Sequence, residues 1–527
     1  MLKKVVNLSL FLGGIVCLAV PMTVWSYGND YRVSFEGATM DTCTDPNFSS
    51  PSPFLDGIGH ISSLSMNFPF VGETITKNTP REYYGERCKE ALPNSKLQLS
   101  MYPLVTFIDR QHEEALRIPD KLLISVNNNP EKINNLEGFK ITADSHSRLK
   151  TIIFQAGDYI GITMIPEIAS KLRDDVEIIV LAGNNRVAHF VLNGLKKHNL
   201  KNLEQRLRFI VGGSLSSWGR DPYIVLVNPK NKKFTLLPAK GDAGTRNDRG
   251  VAQEIMRRDI DGIVTYENKN SLLNRTLDLQ GGDVTSDHEY VYVGEETVHY
   301  CRFNIASMAM YTENEAIAQI EKVTGKKVIV LRGVQDIHND RYHMPLDKTN
   351  LGEHTSLLID PLEALEILSN LTPDERKQTI EKILASIEGT PLAESEEYKR
   401  DRIAEFLLVT KNDIKEAKKS PLVQALSELE KYLQKQGIKV IRIPGLPKDF
   451  ANNPFGIYPT NVIIDGSSLG DVKPSVIVPH YNISTLDKKI DQVFDSVGFK
   501  IFPVTAILAG EGEGGLRCLA QTVAIPL

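Results

Sequence analysis

The spacing of apolar and polar positions changes twice along this chain. From Tyr27 to about Leu97 it is rich in Ser, Pro, Asn and Gly and predicts few regular elements. Between Leu97 and Ile165 come short apolar runs, Leu104–Ile108, Lys121–Val126, Leu149–Phe154 and Tyr159–Met164, parted by turn residues such as Asn127-Asn-Asn-Pro130. Runs of that length and spacing predict a small β-sandwich. From Val176 the pattern alternates between strand and helix. Glu177–Ala182 is a buried strand, and Arg186–Leu200 sets Val187, Phe190, Val191 and Leu195 at the spacing of an amphipathic helix.

That second pattern repeats as a unit of helix, strand, polar loop and strand. After the helix at Arg186 come strand Arg208–Gly212, the loop with Trp218-Gly-Arg-Asp221, and strand Tyr223–Val227. The second copy has helix Gly250–Arg258, strand Ile260–Tyr266, loop Gln280-Gly-Gly-Asp283 and strand Tyr290–Val293. The third has Asn314–Val323, Lys327–Leu331, loop His338-Asn-Asp340 and Thr355–Ile359. The fourth has Leu422–Gln436, Ile438–Ile443, loop Pro444–Pro459 and Thr460–Ile464. The fifth has Thr485–Val497, Phe499–Val504, loop Gly510–Gly515 and Cys518–Ile525. Pattern repeats while sequence does not, which predicts like units around an axis with their loops toward a shared centre. Between the third and fourth copies a charged segment, about 361–420, opens a helix with the capping box Thr372-Pro-Asp-Glu375. Its interspersed charges predict a solvated helical hairpin, with a lid over the ring as the alternative.

At 527 residues the chain has room for two to four domains, and 24% charged with 41% hydrophobic residues is ordinary for a globular protein. A net charge of −5 leaves no footprint for nucleic acid. Lys3 and Lys4 precede an apolar run from Leu8 to Val20, with Ser26 at a cleavage-like position. This is the pattern of a secretory signal peptide over residues 1–26, too short for a membrane span. The expectation is a secreted or periplasmic protein with no stable membrane anchor, a β-rich region over 27–172 and the repeated domain over 173–527. Export permits disulfides. Without Cys17 the cysteines are Cys43, Cys88, Cys301 and Cys518. Cys43 and Cys88 form the plausible pair, Cys301 reads as a small buried hydrophobe, and Cys518 is the thiol left over.

The loops carry the chemistry: Asp221, then Gln280 and Asp283, then His338 and Asp340, then Gly514-Gly-Leu-Arg-Cys518. Each is weak alone. Their order of Asp, His and Cys, in corresponding loops of one repeated unit, is far more specific. The combination resembles the guanidino-group-modifying superfamily, and the wide gap from His338 to Cys518 resembles its protein-arginine deiminases most. That resemblance spans roughly Val176 to Leu527. It implies an α/β fold of the pentein kind, a five-bladed α/β propeller of ββαβ units preceded by a small β-rich domain.

It also implies roles. Asp221 and Asp340 would hold a planar cation that keeps its charge at ordinary pH, Cys518 would attack the guanidinium carbon, and His338 would be the acid and then the base. Trp218, Arg220, Gln280, Asp283 and Arg517 would line the substrate, although for Arg220 and Arg517 the structural ion-pair reading stands ahead of a contact with a substrate carboxylate. His343 and Asp347 offer an alternative imidazole and carboxylate. The implied activity is conversion of peptidyl-arginine to peptidyl-citrulline and ammonia through a thiouronium intermediate, with an arginine-containing protein or peptide as partner. Alternatives are a deiminase or amidinotransferase of free arginine or another small guanidino compound, and an inactive guanidinium-binding protein. No cofactor or metal ligand set is expected; the resemblance leaves calcium open, and no EF-hand-like loop indicates it.

Overall fold

The computed structural model describes residues 4–11, 17–27, 30–35, 64–67, 74–76 and 98–101, and then 116–526 apart from 214, 240–247, 249, 268–276, 305–308, 333–347, 353, 396–397, 467–472 and 513. Two compact units divide the chain, Met1–Leu116 and Arg117–Leu527. In the first, strands β1 (Lys4–Phe11), β2 (Cys17–Tyr27), β3 (Asp30–Phe35), β4 (Leu64–Asn67), β5 (Thr74–Thr76) and β6 (Gln98–Met101) form one sheet in the order β1-β2-β3-β6-β4-β5. The proposed signal segment is drawn there as the β1–β2 hairpin, with Lys4 opposite Val24 and Phe11 opposite Cys17. Cys43 and Cys88 lie outside the described residues.

The second unit is α/β with small mixed sheets. Its strands begin with β7 (Lys132–Ile133), β8 (Lys140–Ile141), β9 (Ser147–Ala156), β10 (Glu177–Ala182), β11 (Leu207–Val211), β12 (Tyr223–Val227), β13 (Phe234–Pro238) and β14 (Thr265–Tyr266). Next come β15 (Val284–Ser286), β16 (Tyr290–Gly294), β17 (Phe303–Asn304), β18 (Ala309–Met310), β19 (Lys327–Leu331), β20 (Lys348–Gly352) and β21 (Thr355–Asp360). The last are β22 (Lys439–Pro444), β23 (Ile463–Asp465), β24 (Ser475–His480), β25 (Lys500–Thr505) and β26 (Ala520–Pro526). The larger sheets run β11-β10-β9-β26, β13-β12-β8, β15-β16-β19, β20-β21-β22 and β23-β24-β25.

Three of these sheets share one construction. An antiparallel hairpin is followed by helix and then a parallel third strand: β15 and β16 with β19, β20 and β21 with β22, β23 and β24 with β25. A parallel neighbour requires a long crossover, and the helices Glu313–Thr324, Pro421–Lys435 and Ser484–Ser496 provide it. The polar loop of each sequence repeat is therefore the passage from one sheet to the next. Among the described residues, the passages that hold Trp218–Asp221, Gln280–Asp283, Tyr458–Asn461 and Gly514–Cys518 meet. The C-terminal strand β26 pairs antiparallel with β9, so the last element of the unit joins the first long one.

Two expectations are corrected. Residues 117–172 belong to the second unit and form no separate sandwich: Ser147–Ala156 is an inner strand between β10 and β26, and Tyr159–Ala169 is a helix. Asp158 caps that helix through the amides of Ile160 and Gly161, and Ile160, Met164, Ile165 and Ile168 are all buried. A helix apolar over so much of its surface reads like a strand run in sequence. Nor is the 361–420 insertion a solvated hairpin. It forms helices Pro361–Ser369, Pro373–Ile387, Arg400–Phe406 and Lys411–Ala417, and Leu365, Leu368, Ile383, Ile387, Ile403 and Phe406 join the largest core cluster. The capping box at Thr372 and Glu375 is present.

Candidate active site

Cys518 ends the passage from β25 to β26 and is 4% exposed. Two further passages wrap it. From the β22–β23 passage, Asn461 donates through Nδ2 to Sγ at 3.0 Å. The same side chain's Oδ1 accepts from the amides of Arg517 at 2.7 Å and Cys518 at 3.2 Å. One buried amide thus fixes both the backbone and the sulfur. From the β11–β12 passage, the Arg220 amide donates to the Cys518 carbonyl at 3.2 Å. Tyr458 and Trp218 complete an apolar wall around the thiol. A Cβ at Gly514 would overlap the Trp218 ring, so any larger residue there would force the ring to move.

Secondary contacts set the β11–β12 passage in place. Asp248 accepts from the Ser216 amide at 2.9 Å and hydroxyl at 2.6 Å. The Ser217 hydroxyl donates to Asp158 at 2.6 Å and accepts from the Gly161 amide. Trp218, Arg220 and Asp221 follow on this anchored stretch.

Arg220 is buried and donates through Nε to the Gly281 carbonyl at 2.8 Å, through one terminal nitrogen to the Gln521 side chain at 3.3 Å and through the other to the Val284 carbonyl at 3.2 Å. Burial and the neighbouring Arg517 push its pKa down to about 9, against the pull of Asp144, Cys518 and Asp221. Gln280 immediately precedes the short 3-10 turn Gly281–Asp283 without a side-chain capping bond, and both Gln280 and Asp283 are buried. The turn touches the first passage so closely that a Cβ on Gly281 would overlap the Arg220 carbonyl. Arg517 pairs with Asp144 at 2.5 Å and reaches Thr349 at 3.4 Å. The guanidinium groups of Arg220 and Arg517 are thus held by internal partners.

The structure therefore brings Cys518, Trp218, Arg220, Asp221, Gln280, Asp283 and Arg517 onto adjoining passages. His338 and Asp340, with His343 and Asp347, lie outside the described residues. Sequence reasoning missed Asn461 and Tyr458. Both sit in the fourth repeat around its loop, to which no chemistry was assigned; a polar residue just ahead of that strand was the available signal. Cys301 is buried, with its thiol toward the Asp278 carbonyl at 3.8 Å.

Electrostatics at the sulfur follow from the packing. Burial raises the Cys518 pKa first, and the Asp221 carboxylate raises it further. Hydrogen bonds from Asn461 and the Gly515 amide, and the charge of Arg220, pull the other way without prevailing. Burial and the Asp221 charge together favour the neutral thiol. A cation placed beside Asp221 and Cys518 would lower the thiol pKa, because it offsets the carboxylate and favours the thiolate.

No protein-family model matches the chain, and no curated protein does. Among solved structures it is similar to an agmatine deiminase of C. jejuni, at 13% identity over 72% of this chain and 95% of that one, with a TM-score of 0.46. An agmatine deiminase of Enterococcus faecalis is 14% identical over 75% of this chain and 99% of its own, with a TM-score of 0.46. The DDAH of Pseudomonas aeruginosa, solved with citrulline, is 12% identical over 71% and 99%, with a TM-score of 0.34.

Proposed function

We propose that this chain is a cysteine-dependent hydrolase that removes ammonia from the guanidinium group of a small compound, in a ring of five ββαβ-type units. The observation that carries the reading is the buried Cys518 thiol, held by Asn461 and facing the field of Asp221. A thiol in that setting is inert until a cation arrives, which suits a substrate that carries its own positive charge. Burial of both Cys518 and Asp221 favours a molecule small enough to be enclosed over arginine on a folded protein surface. The small-substrate alternative therefore takes precedence over peptidyl-arginine. Export, read from Lys3, Lys4 and the Leu8–Val20 run, stands as part of this proposal.

In the proposed reaction the guanidinium lies against Asp221 and, by the residue pattern, Asp340. The Cys518 thiol gives its proton to His338, and the resulting thiolate forms a bond to the central carbon. His338 protonates one nitrogen, whose bond to carbon breaks to release ammonia and leave a thiouronium. His338 then takes a proton from water as the oxygen bonds to carbon, and the C–S bond breaks to give a ureido product and the free thiol. Ammonia and ureido product form in equal amounts.

Assays of ammonia and ureido product with free arginine, agmatine and an arginine-containing peptide side by side test the proposal. A small compound is expected to exceed the peptide in kcat/KM by at least about tenfold, on the order of 1.4 kcal/mol in transition-state binding. Preference for the peptide would restore the peptidyl reading, and absence of ammonia with all three would remove the hydrolase assignment.

A further inference from the structure

The sheets that carry the Cys518 neighbours end, at their opposite edge, in turns rich in histidine. Asp283 precedes β15 and Asp287 follows it, so the three-residue strand separates the two positions by about 13 Å at ordinary strand rise. The pairing of β26 with β9 tells the same story: Ala520 lies opposite Phe154 near the thiol, and Pro526 opposite Ser147 at the far end, next to His146. Three segments from three sheets converge there, around His146, Asp287-His288-Glu289 and His354. The His288 ring lies 4.7 Å from that of His354 and 6.4 Å from that of His146.

His288, Glu289 and His354 each present one ligating atom within 4.8 Å of the others. His354 stands in the left-handed region at φ 55°, in the turn between β20 and β21, a backbone state that histidine enters more readily than most residues. Its Nε2 faces Glu289 Oε2 at 3.8 Å, and its Nδ1 faces Asp287 Oδ2 at 3.8 Å. Asp287 is 1% exposed and fixed by the Glu289 and Tyr290 amides, at 2.9 and 2.7 Å, and by the Tyr292 hydroxyl at 2.7 Å. The fixed Asp287 carboxylate stands 3.8 Å from one ring nitrogen, just beyond hydrogen-bond distance, and a small ring rotation closes it to the carboxylate–histidine contact that orients a metal-binding histidine. Lys327 holds Oε1 of Glu289 at 2.9 Å, while Oε2 faces His354.

We propose that His288, His354 and Glu289 bind a divalent transition-metal ion of the zinc class, at a site separate from Cys518. Two imidazoles and one carboxylate suit such an ion, whereas calcium and magnesium take oxygen donors. Tetrahedral coordination at ordinary bond lengths sets donors about 3.4 Å apart. The present cluster closes to that spacing by side-chain rotation, which the exposed His288 and the 37% exposed side chains of His354 and Glu289 allow. Bound metal would tie two neighbouring sheets together at their turns and leave a position for water.

Titration of the chelator-stripped full-length protein with zinc in a calorimeter, and with cobalt(II) in a spectrophotometer, tests the site. Wild type and Cys518→Ala are expected to bind one equivalent alike, with cobalt d–d bands and no thiolate charge-transfer band. His354→Asn, which suits the left-handed backbone, and the surface changes His288→Ala and Glu289→Gln should each raise Kd at least tenfold with unchanged metal-free melting. Equal affinity in wild type and these three variants, loss of binding in Cys518→Ala, or no binding to wild type overturns the proposal.

Discussion

The two ends of the same sheets use polar residues in opposite ways. At the passage end, Cys518, Asp221, Arg220, Gln280 and Arg517 are all buried, and their positions are fixed by backbone amides, carbonyls and Asn461. At the turn end, His288 is exposed and His354 and Glu289 half-buried over one locked carboxylate, Asp287. A buried site is selective because an unsatisfied group there costs a great deal, so only a complementary charge restores balance. An exposed cluster pays little for being empty and can admit an ion directly from water. Burial, more than residue type, decides what each end can do.

Asn461 offers the sharpest way to break the passage end. Asn461→Ala removes the donor to Sγ and leaves the Arg517 and Cys518 amides without their acceptor. Loss of turnover on the order of a hundredfold is expected, by comparison with removal of one positioned donor elsewhere. Stability should fall by roughly 2–4 kcal/mol for two stranded amides. Steady-state kinetics and urea unfolding read the two effects; unchanged values in both would deny Asn461 its place.

A smaller effect is expected at Gly514. Gly514→Ala drives a methyl into the Trp218 ring, and overpacking of that kind costs about 1–3 kcal/mol. Because Trp218 adjoins Cys518, kcat/KM should drop along with the melting temperature. The same substitution at Gly437, which has nothing near its Cβ, strains only the left-handed backbone and should leave kcat/KM alone. Equal kinetic effects at the two glycines would contradict the account.

Smallest is a pH dependence that originates between the two ends. Lys348 is fully buried over the Tyr292 ring and donates to Asn350 at 2.5 Å. Burial lowers its pKa to about 7, and that of Lys326 to about 8, despite the nearby charges of Asp287 and Asp144. Between these values and the ordinary lysine range near 10.5 the unfolded chain binds more protons than the folded one. Stability attributable to these lysines therefore rises with pH across that window, and the penalty is fully present below about pH 7. The urea midpoint of wild type should gain between pH 6.5 and 8.5 relative to that of Lys348→Met. Parallel profiles for the two proteins would assign the effect elsewhere.

Local pattern made much of this fold legible. Glu177–Ala182, Tyr223–Val227 and Lys327–Leu331 fall where their apolar runs place them, because a strand buried on both faces announces itself. Tyr159–Ala169 was misread because its β-branched run hides a helix that only the Asp158 cap reveals. The run Leu149–Phe154, the middle of strand Ser147–Ala156, reads as a strand in sequence but was given to the wrong sheet, since its partners lie at Glu177 and, far along the chain, at Ala520. Thr372-Pro-Asp-Glu375 fixed a helix start, while the burial of Ile383 and Phe406 depended on distant packing. In the site, Cys518 and Asp221 stood out by their loops. Asn461 did not, because an asparagine acquires its role only from the sulfur and amides that folding brings to it.

The measurement closest to the central claim is acid quench of the full-length protein after mixing with a small guanidino compound, followed by mass analysis of the peptide that bears Cys518. The account predicts an adduct of the amidino carbon on that cysteine in wild type, and loss of both the adduct and ammonia release in a folded Cys518→Ala variant. Ammonia released undiminished by that variant would contradict it.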